Sequence, residues 1–130
     1  MADTNIKRSI EQKRAEFCLE LVRAHGEREL PWQENYVSQV KSLPATIYMC
    51  GLGQAMAFLL SKGSGVHEQL YNDITLWLCR DEGVFPAGKL MEALTTSSME
   101  TYILAQSEAL ALLVWLKKFA VAFLAGAKNG

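Results

Sequence analysis

The sequence predicts an all-α fold, a compact bundle of about six helices with a long apolar helix at its C-terminal end. Half of the 130 residues are hydrophobic, only three are proline, and long stretches rich in Leu, Ala, Glu, Lys and Gln favour helix. Apolar residues recur at spacings of three and four, which is typical of helices, and no segment alternates as a strand would. We interpret residues 1–130 as one domain, since a chain of this length buries enough surface to form a core.

The first two helices are predicted from stripes of apolar residues. Asp3 or Thr4 can cap the first helix, and Gly26 is its expected end. The second helix begins near Glu34, and Pro44 must kink it or start a new one. The stripes consist of Ile6, Ile10, Phe17, Leu21 and Ala24, then Tyr36, Val40, Leu43 and Ile47.

The stretch Cys-Gly-Leu-Gly at 50–53 has some features of a phosphate-binding loop. A dinucleotide fingerprint needs a third glycine, but that position is Met56, and no βαβ unit surrounds the stretch. We therefore predict a helix junction, in which Gly51 is a left-handed stop and Gly53 allows another helix or backbone to approach closely. A nucleotide-dependent enzyme at this junction is an alternative hypothesis.

Four further helices are predicted after this junction, over residues 52–61, 67–80, 89–94 and about 98–125. Ser97 and Glu100 form a capping box for the last of them. Lys117 and Lys118 divide its apolar sequence into stretches of eight and seven residues, too short for a membrane span of about twenty. We expect a central helix wrapped by the others, with at least one of these two lysines at the surface. Its small residues Ala111, Ala122 and Ala125 make self-association a second expectation.

Charge and residue types predict a protein without catalytic machinery. The net charge of −1 excludes a uniformly basic nucleic-acid binder, so any phosphate contact needs a local patch. Neither histidine has metal-ligand spacing, and no serine lies in a nucleophile turn, so we expect no metal, cofactor or small-molecule substrate. We expect Cys18, Cys50 and Cys79 to be buried thiols of a cytoplasmic protein, because their number is odd and their spacings wide. The N-terminal residues do not form a signal peptide.

Four stretches together resemble the Cmr small subunit family of type III-B CRISPR ribonucleoprotein effector complexes. They are IEQKRAEF, YVSQVKSLPATIYMCGLGQAMAFLLSK, LYNDITLWL and SEALALLVWLKKFAVAFL, and they cover most of the chain. The resemblance implies an all-helical protein that is not the nuclease and has no cofactor. It also implies partners: guide RNA, target RNA, other Cmr subunits, and copies of itself stacked in a row along the complex, where they line the RNA groove.

An RNA-lining subunit that accepts any target sequence is expected to contact phosphates and 2′-hydroxyls rather than base edges. The basic residues of the matching motifs are therefore the predicted RNA contacts, with Lys7 and Arg8 as second choices. The predicted contacts are Lys13, Arg14, Lys41, Lys62, Lys117 and Lys118. The alternative to this RNA-binding subunit is a helical protein–protein adaptor that does not contact RNA.

Overall fold

The structure, a computed structural model, describes residues 8–63 and 65–124. These residues form α1 (Ile10–His25), α2 (Leu30–Cys50), α3 (Leu52–Lys62), α4 (Gly65–Leu78), α5 (Leu90–Thr96) and α6 (Met99–Phe123). Only Gly51 separates α2 from α3, so counting the two as one helix gives five rather than six. The described residues contain no strand, only an isolated bridge between Cys79 and Phe85. The all-α prediction is therefore confirmed.

Two helix starts differ from the predicted ones. Ser9 caps α1, because its Oγ accepts the Gln12 N–H at 3.1 Å while the Gln12 side chain accepts the Ser9 N–H at 2.9 Å. The predicted caps, Asp3 and Thr4, lie outside the described residues. Helix α2 begins at Leu30, earlier than predicted, with Pro31 in its first turn, where a missing N–H costs nothing. The start of α1 is therefore set by the capping box at Ser9, and the start of α2 is favoured by Pro31, since Glu29 forms no side-chain capping bond.

Two later details of the prediction can be compared with the structure. Helix α2 continues through Pro44, so of the two predicted alternatives, a kink or a new helix, the new helix is wrong. The N-cap of α6 is Ser98, whose Oγ accepts the Thr101 N–H at 3.1 Å. The prediction of Ser97 as the cap was wrong, because Ser97 ends α5 and donates its N–H to the Ala93 carbonyl.

Helix α6 is central on one side and open on the other. It packs against α1, α2, α3 and α4. Its inner face is fully buried and consists of Ala105, Ala109, Leu112, Leu113, Leu116 and Ala120. The other helices cover α6 on this inner face only, because the opposite side, called here the outer face of α6, exposes Ile103, Leu104, Val114 and Val121.

A buried polar cluster joins three helices around Asp73, which is fully buried in α4. The Tyr36 hydroxyl of α2 donates to the Asp73 carboxylate at 2.6 Å, and His25 Nε2, at the end of α1, lies 2.8 Å from the same oxygen. Gln69 donates to the other oxygen at 2.9 Å. Burial, and then the Asp73 charge, raise the pKa of Tyr36 well above its usual value. These directional contacts fix how α1, α2 and α4 meet.

The Cys-Gly-Leu-Gly stretch is a packed helix junction, as predicted. Gly51 has a φ of 87° and a ψ of 162°, so its φ is positive but its backbone is extended rather than left-handed helical. The N–H groups that begin α3 bond to α6: Leu52 donates to Gln106 Oε1 at 2.9 Å, and Gly53 donates to the Tyr102 hydroxyl at 2.7 Å. These donors already have partners inside the protein, so they are not available to a phosphate.

The segment Leu30–Lys62 has the length and hydropathy of a membrane-spanning helix, with a mean hydropathy of 1.5 in its most apolar window. Core helices of water-soluble proteins pass the same test. Here the segment is interrupted at Gly51, and the apolar stripe from Tyr36 to Ile47 is buried against other helices. We therefore assign it to the core of the bundle.

The cysteines are only partly as predicted. Cys18 and Cys79 are buried, and burial raises the pKa of the Cys18 thiol to about 12. The prediction for Cys50 was wrong, because this residue ends α2 on its exposed side.

Replacing Gly53 with alanine is expected to destabilise the fold. The added Cβ would lie 3.1 Å from the Tyr102 hydroxyl, so Tyr102 must move and weaken its hydrogen bond to the backbone. We expect a loss of about 1–3 kcal/mol in the free energy of unfolding, measured by urea denaturation.

Gly26→Ala is the matched control, because Gly26 has a helical φ of −65° and its added Cβ would meet nothing closer than 3.4 Å. Equal stability of Gly53→Ala and Gly26→Ala would contradict the close packing of α3 on α6.

Candidate nucleic-acid interface

The predicted basic residues lie on four of the six helices. Lys13 and Arg14 are on α1, Lys41 on α2, Lys62 on α3, and Lys117 and Lys118 on α6. The part of the chain that the structure describes contains no group of three or more His, Cys, Asp or Glu side chains placed to hold a metal ion. The candidate site must therefore be judged by the exposure and the partners of these basic side chains.

Arg14 is bound inside the protein rather than presented at its surface. Its Nε and Nη2 donate to the two carboxylate oxygens of Glu108 on α6, at 2.6 and 2.8 Å. Its Nη1 donates to Glu11 at 2.7 Å. The side chains of Arg14 and Glu108 are only 12% and 17% exposed, and all three guanidinium nitrogens have carboxylate partners. Arg14 therefore stabilises the contact between α1 and α6, and its guanidinium is not available to RNA, contrary to the prediction.

Two tryptophans extend this ion pair into what we call the Arg14–Glu108 network, formed by Glu11, Arg14, Trp77, Glu108 and Trp115. Trp77 Nε1 donates to Glu108 at 2.8 Å, and Trp115 Nε1 donates to Glu11 at 2.7 Å. Burial would raise the pKa of Glu108, but the hydrogen bonds from Arg14 and Trp77 outweigh it, so this pKa lies below the usual 4.5. The same pairing raises the pKa of Arg14. Both groups are therefore charged at neutral pH.

The other basic residues of α1 have acidic neighbours. Lys13 is 41% exposed, and its Nζ lies 3.9 Å from Glu82. Arg8, a second choice from the sequence, forms a 2.7 Å ion pair with Glu16. Lys7, the other second choice, lies outside the described residues. This end of α1 is therefore close to electrically neutral.

Lys41 and Lys62 are exposed on different helices. Lys41 lines a shallow groove on α2 together with Glu34 and Ser38. Lys62 is the last residue of α3, and its Nζ lies 5.1 Å from the centre of the Phe58 ring. Both ammonium groups can reach a partner outside the chain.

The structure does not bring the six predicted basic residues onto one surface, and among them only the sequence neighbours Lys117 and Lys118 share a groove in the described part of the chain. Both are exposed, and both line one groove with Val114, Val121 and Ala122. The expectation that at least one of them reaches the surface is confirmed. Lys13 and Lys41 line two other grooves.

The sequence analysis missed Arg80, which follows the end of α4. Its guanidinium lies 4.0 Å from the centre of the Trp77 ring, and its Nε donates to the Trp77 carbonyl at 3.0 Å. The spacing Trp-x-x-Arg at the end of a helix places the two side chains on one side, which is the local pattern that could have identified it.

Comparisons with known proteins agree with one another. The family model described as CRISPR-associated protein (Cas_Cmr5) matches residues 10–123. A curated protein of Thermus thermophilus, CRISPR system Cmr subunit Cmr5, is 31% identical over 113 residues, which covers 87% of this chain and 90% of that protein. The X-ray crystal structure of a CRISPR-associated Cmr5 family protein from Thermus thermophilus is 29% identical in sequence and similar with a TM-score of 0.76. This similarity covers 92% of this chain and 100% of that one.

Replacing Glu108 with glutamine is expected to destabilise the protein by about 3 kcal/mol, because it leaves the Arg14 guanidinium without its main counter-charge in a mostly buried site. Urea denaturation at pH 7 measures the effect. The pKa of Glu108 is lower in the folded protein than in the unfolded chain. The contribution of the Glu108 carboxylate to stability is therefore present above about pH 4.5 and is lost as the pH falls further. The difference in the free energy of unfolding between Glu108→Gln and wild type should accordingly shrink in acid.

Glu100→Gln is the control, since Glu100 is an exposed residue of the first turn of α6. It should change the stability by no more than about 0.5 kcal/mol. An equally small effect of Glu108→Gln would show that the Arg14–Glu108 network does not support the fold.

Proposed function

Because this chain belongs to the CRISPR-associated Cmr5 family, we propose that it is a non-catalytic small subunit of a type III-B CRISPR RNA-guided effector complex. The family resemblance seen in the four sequence stretches is confirmed by the family match and by the structural similarity. In this proposal the protein acts in antiviral defence in the cytoplasm. It lines the groove for guide RNA and target RNA and binds no cofactor.

The exposed pair Lys117 and Lys118 is the single observation that carries the RNA contact. Neighbouring helical residues lie about 100° apart around the axis, so the two ammonium groups cover a broad arc of one surface. Phosphates follow one another closely along a nucleic-acid strand, and two such cations can neutralise them without reading the sequence. The net charge of −1 permits this arrangement, because a local patch suffices.

The remaining lysines of the proposed set have weaker support. Lys41 shares its groove with Glu34, and Lys13 lies near Glu82, so nearby carboxylates reduce the positive potential at both positions. Lys62 is exposed at the end of α3. We propose that Lys117 and Lys118 contribute most to RNA affinity, and that Lys13, Lys41 and Lys62 add to it within the assembled complex.

The outer face of α6 supports the proposal that copies of this protein stack in a row. It exposes Ile103, Leu104, Val114 and Val121, of which Ile103 is 57% exposed and lies outside the groove that Lys117 and Lys118 line. Contiguous apolar surface on a water-soluble protein commonly marks an interface with another protein. A row of copies needs a head-to-tail interface, in which this face meets a different surface of the next copy.

The same apolar face would also serve a protein–protein adaptor that does not contact RNA, so the two functions need a direct test. Ultraviolet crosslinking of the assembled complex separates them. The RNA-lining subunit should crosslink to guide or target RNA, whereas an adaptor should crosslink only to protein.

Reversing the charge at both Lys117 and Lys118 to glutamate is expected to weaken retention of target RNA by the assembled complex. The logarithm of retention plotted against the logarithm of salt concentration should become less steep by about 0.7 to 0.9 for each phosphate that the variant no longer neutralises. The matched control carries Arg23→Glu and Lys89→Glu, two exposed residues outside the proposed set, so it changes the net charge by the same amount. If both double variants retain RNA equally, this assignment of residues is wrong.

Replacing Ile103 with glutamate is expected to lower the number of small subunits in each complex, as counted by native mass spectrometry. The charge would have to be buried without a partner if the outer face of α6 is a stacking surface. Met49→Glu is the control, because Met49 is 84% exposed at the end of α2. A normal copy number with Ile103→Glu would remove this face of α6 from the stacking interface.

A further inference from the structure

A groove with an ordered guanidinium lies between the outer side of α1 and the loop that follows α4. We call it the Arg80 groove. It consists of adjoining depressions lined by Ile10, Phe17, Trp77, Arg80, Glu82 and Leu104. Lys117 and Lys118, the main proposed RNA contacts, do not line it; Lys13 does, but its Nζ lies 3.9 Å from Glu82. The Arg80 guanidinium therefore needs a separate explanation.

Arg80 is held in place by its own loop. Its backbone N–H donates to the Phe85 carbonyl at 3.0 Å, and its carbonyl accepts the Gly83 N–H at 2.9 Å. A Cβ on Gly83 would lie only 2.6 Å from the Leu78 carbonyl oxygen, so the tight turn requires glycine. The position of Arg80 is therefore fixed by the backbone.

The Arg80 side chain is also ordered before any partner binds. Its guanidinium stacks on the indole of Trp77, and its Nε is bonded to the Trp77 carbonyl. Trp77 is in turn held by Glu108, whose carboxylate is bound to Arg14. Among residues 8–63 and 65–124, the two Nη atoms of Arg80 form no hydrogen bond and no ion pair with a carboxylate, while its Nε is bonded to Trp77. The ordered donors therefore point to an acceptor on another molecule.

The charges around Arg80 favour a carboxylate rather than a nucleic-acid strand. The two depressions are lined by Arg8, Lys13 and Arg80 and by Glu16, Glu20, Glu82 and Glu108. Glu16, Glu82 and Glu108 are paired with Arg8, Lys13 and Arg14, whereas Arg80 forms no ion pair with any described carboxylate. A strand of phosphates would meet all these carboxylates and be repelled. A single carboxylate can bind the fork of Arg80 without approaching them all, and it can do so beside the apolar side chains of Ile10 and Leu104.

We propose that the Arg80 groove is a protein-docking site for a peptide segment that presents an Asp or Glu carboxylate next to an apolar side chain. The carboxylate would form a bidentate pair with the Nη atoms of Arg80, and the apolar side chain would pack on Ile10 and Leu104. This proposal rests on the proposed function only in expecting that the protein works inside a multi-subunit assembly.

A direct test uses the full chain and a synthetic peptide, N-acetyl-Leu-Glu-Leu-amide, at millimolar concentration. The indole N–H resonance of Trp77, identified by its loss in Trp77→Phe, is the probe in two-dimensional NMR. We expect this resonance to shift with the acidic peptide and not with N-acetyl-Leu-Gln-Leu-amide. Arg80→Gln should remove the shift, and Arg80→Lys should weaken it about tenfold or more, because lysine keeps the charge but not the fork.

Arg23→Gln is the matched control, since it removes one exposed arginine of α1 outside the groove, and melting temperatures of all variants show whether they fold. Equal shifts with both peptides, or no shift with either, would overturn the proposal. A shift with a short RNA oligonucleotide and not with the acidic peptide would overturn it in favour of a nucleic-acid site.

A second measurement separates this proposal from the proposed function. In the assembled complex, Arg80→Gln should reduce co-purification with the other subunits about tenfold or more, while the salt dependence of RNA retention per copy stays unchanged. Weaker RNA retention with Lys117 and Lys118 reversed, but with unchanged co-purification, would support the RNA proposal alone. Unchanged co-purification of Arg80→Gln would overturn the docking site and leave the RNA proposal intact.

Discussion

The pairing of Arg14 with Glu108 is the constraint on which the rest of the structure depends. It joins the first helix to the last through two hydrogen bonds between mostly buried groups. Taking both charges out of water is costly, and the cost is offset only because every guanidinium nitrogen of Arg14 has an acceptor. The indole N–H groups of Trp77 and Trp115 donate further hydrogen bonds to the carboxylates of Glu108 and Glu11, so the network also fixes the positions of both indoles. The guanidinium of Arg80 stacks on the Trp77 ring, so its orientation depends on this network. The packing of α1 on α6 likewise determines which side of α6 remains exposed.

The basic residues of this protein have different surroundings in different parts of its surface. Lys117 and Lys118 lie together on α6 beside apolar residues, whereas the basic residues of α1 lie among carboxylates. A nucleic-acid strand carries many phosphates and is repelled by every acidic residue along its path. A single carboxylate is affected only by the charges next to it. One nearly neutral chain can therefore present a surface suited to a nucleic-acid backbone and another suited to an acidic peptide.

The sequence predicted the parts of the fold that depend on local periodicity. The apolar stripe of Tyr36, Val40, Leu43 and Ile47 is buried as expected, and Gly53 does allow close approach, by Tyr102 of α6. Helix starts were predicted less well, because Ser97 and Ser98 are equally good caps in sequence and only the preceding α5 decides between them. Cys50 was assigned to the core because its neighbours are apolar, although it lies on the exposed side of α2.

For the candidate site, the sequence could indicate which residues are basic but not which of them have acidic partners. Arg14 and Glu108 are 94 residues apart, and no spacing rule connects them. The exposure of Lys117 and Lys118 was predictable, because two adjacent charges in an apolar helix cannot both be buried. Arg80 was missed because its role comes from the turn closed by Gly83, which is evident only from backbone contacts across the loop.

The separation of 94 residues between Arg14 and Glu108 has a consequence for biosynthesis. A ribosome that adds about 5 to 20 residues per second needs roughly 5 to 20 seconds to extend the chain from Arg14 to Glu108. During that interval the emerging first helix has no counter-ion on α6, and the apolar side that α6 will cover is open to water and to chaperones. The bundle can therefore close only late in translation or after release, when its last helix becomes available.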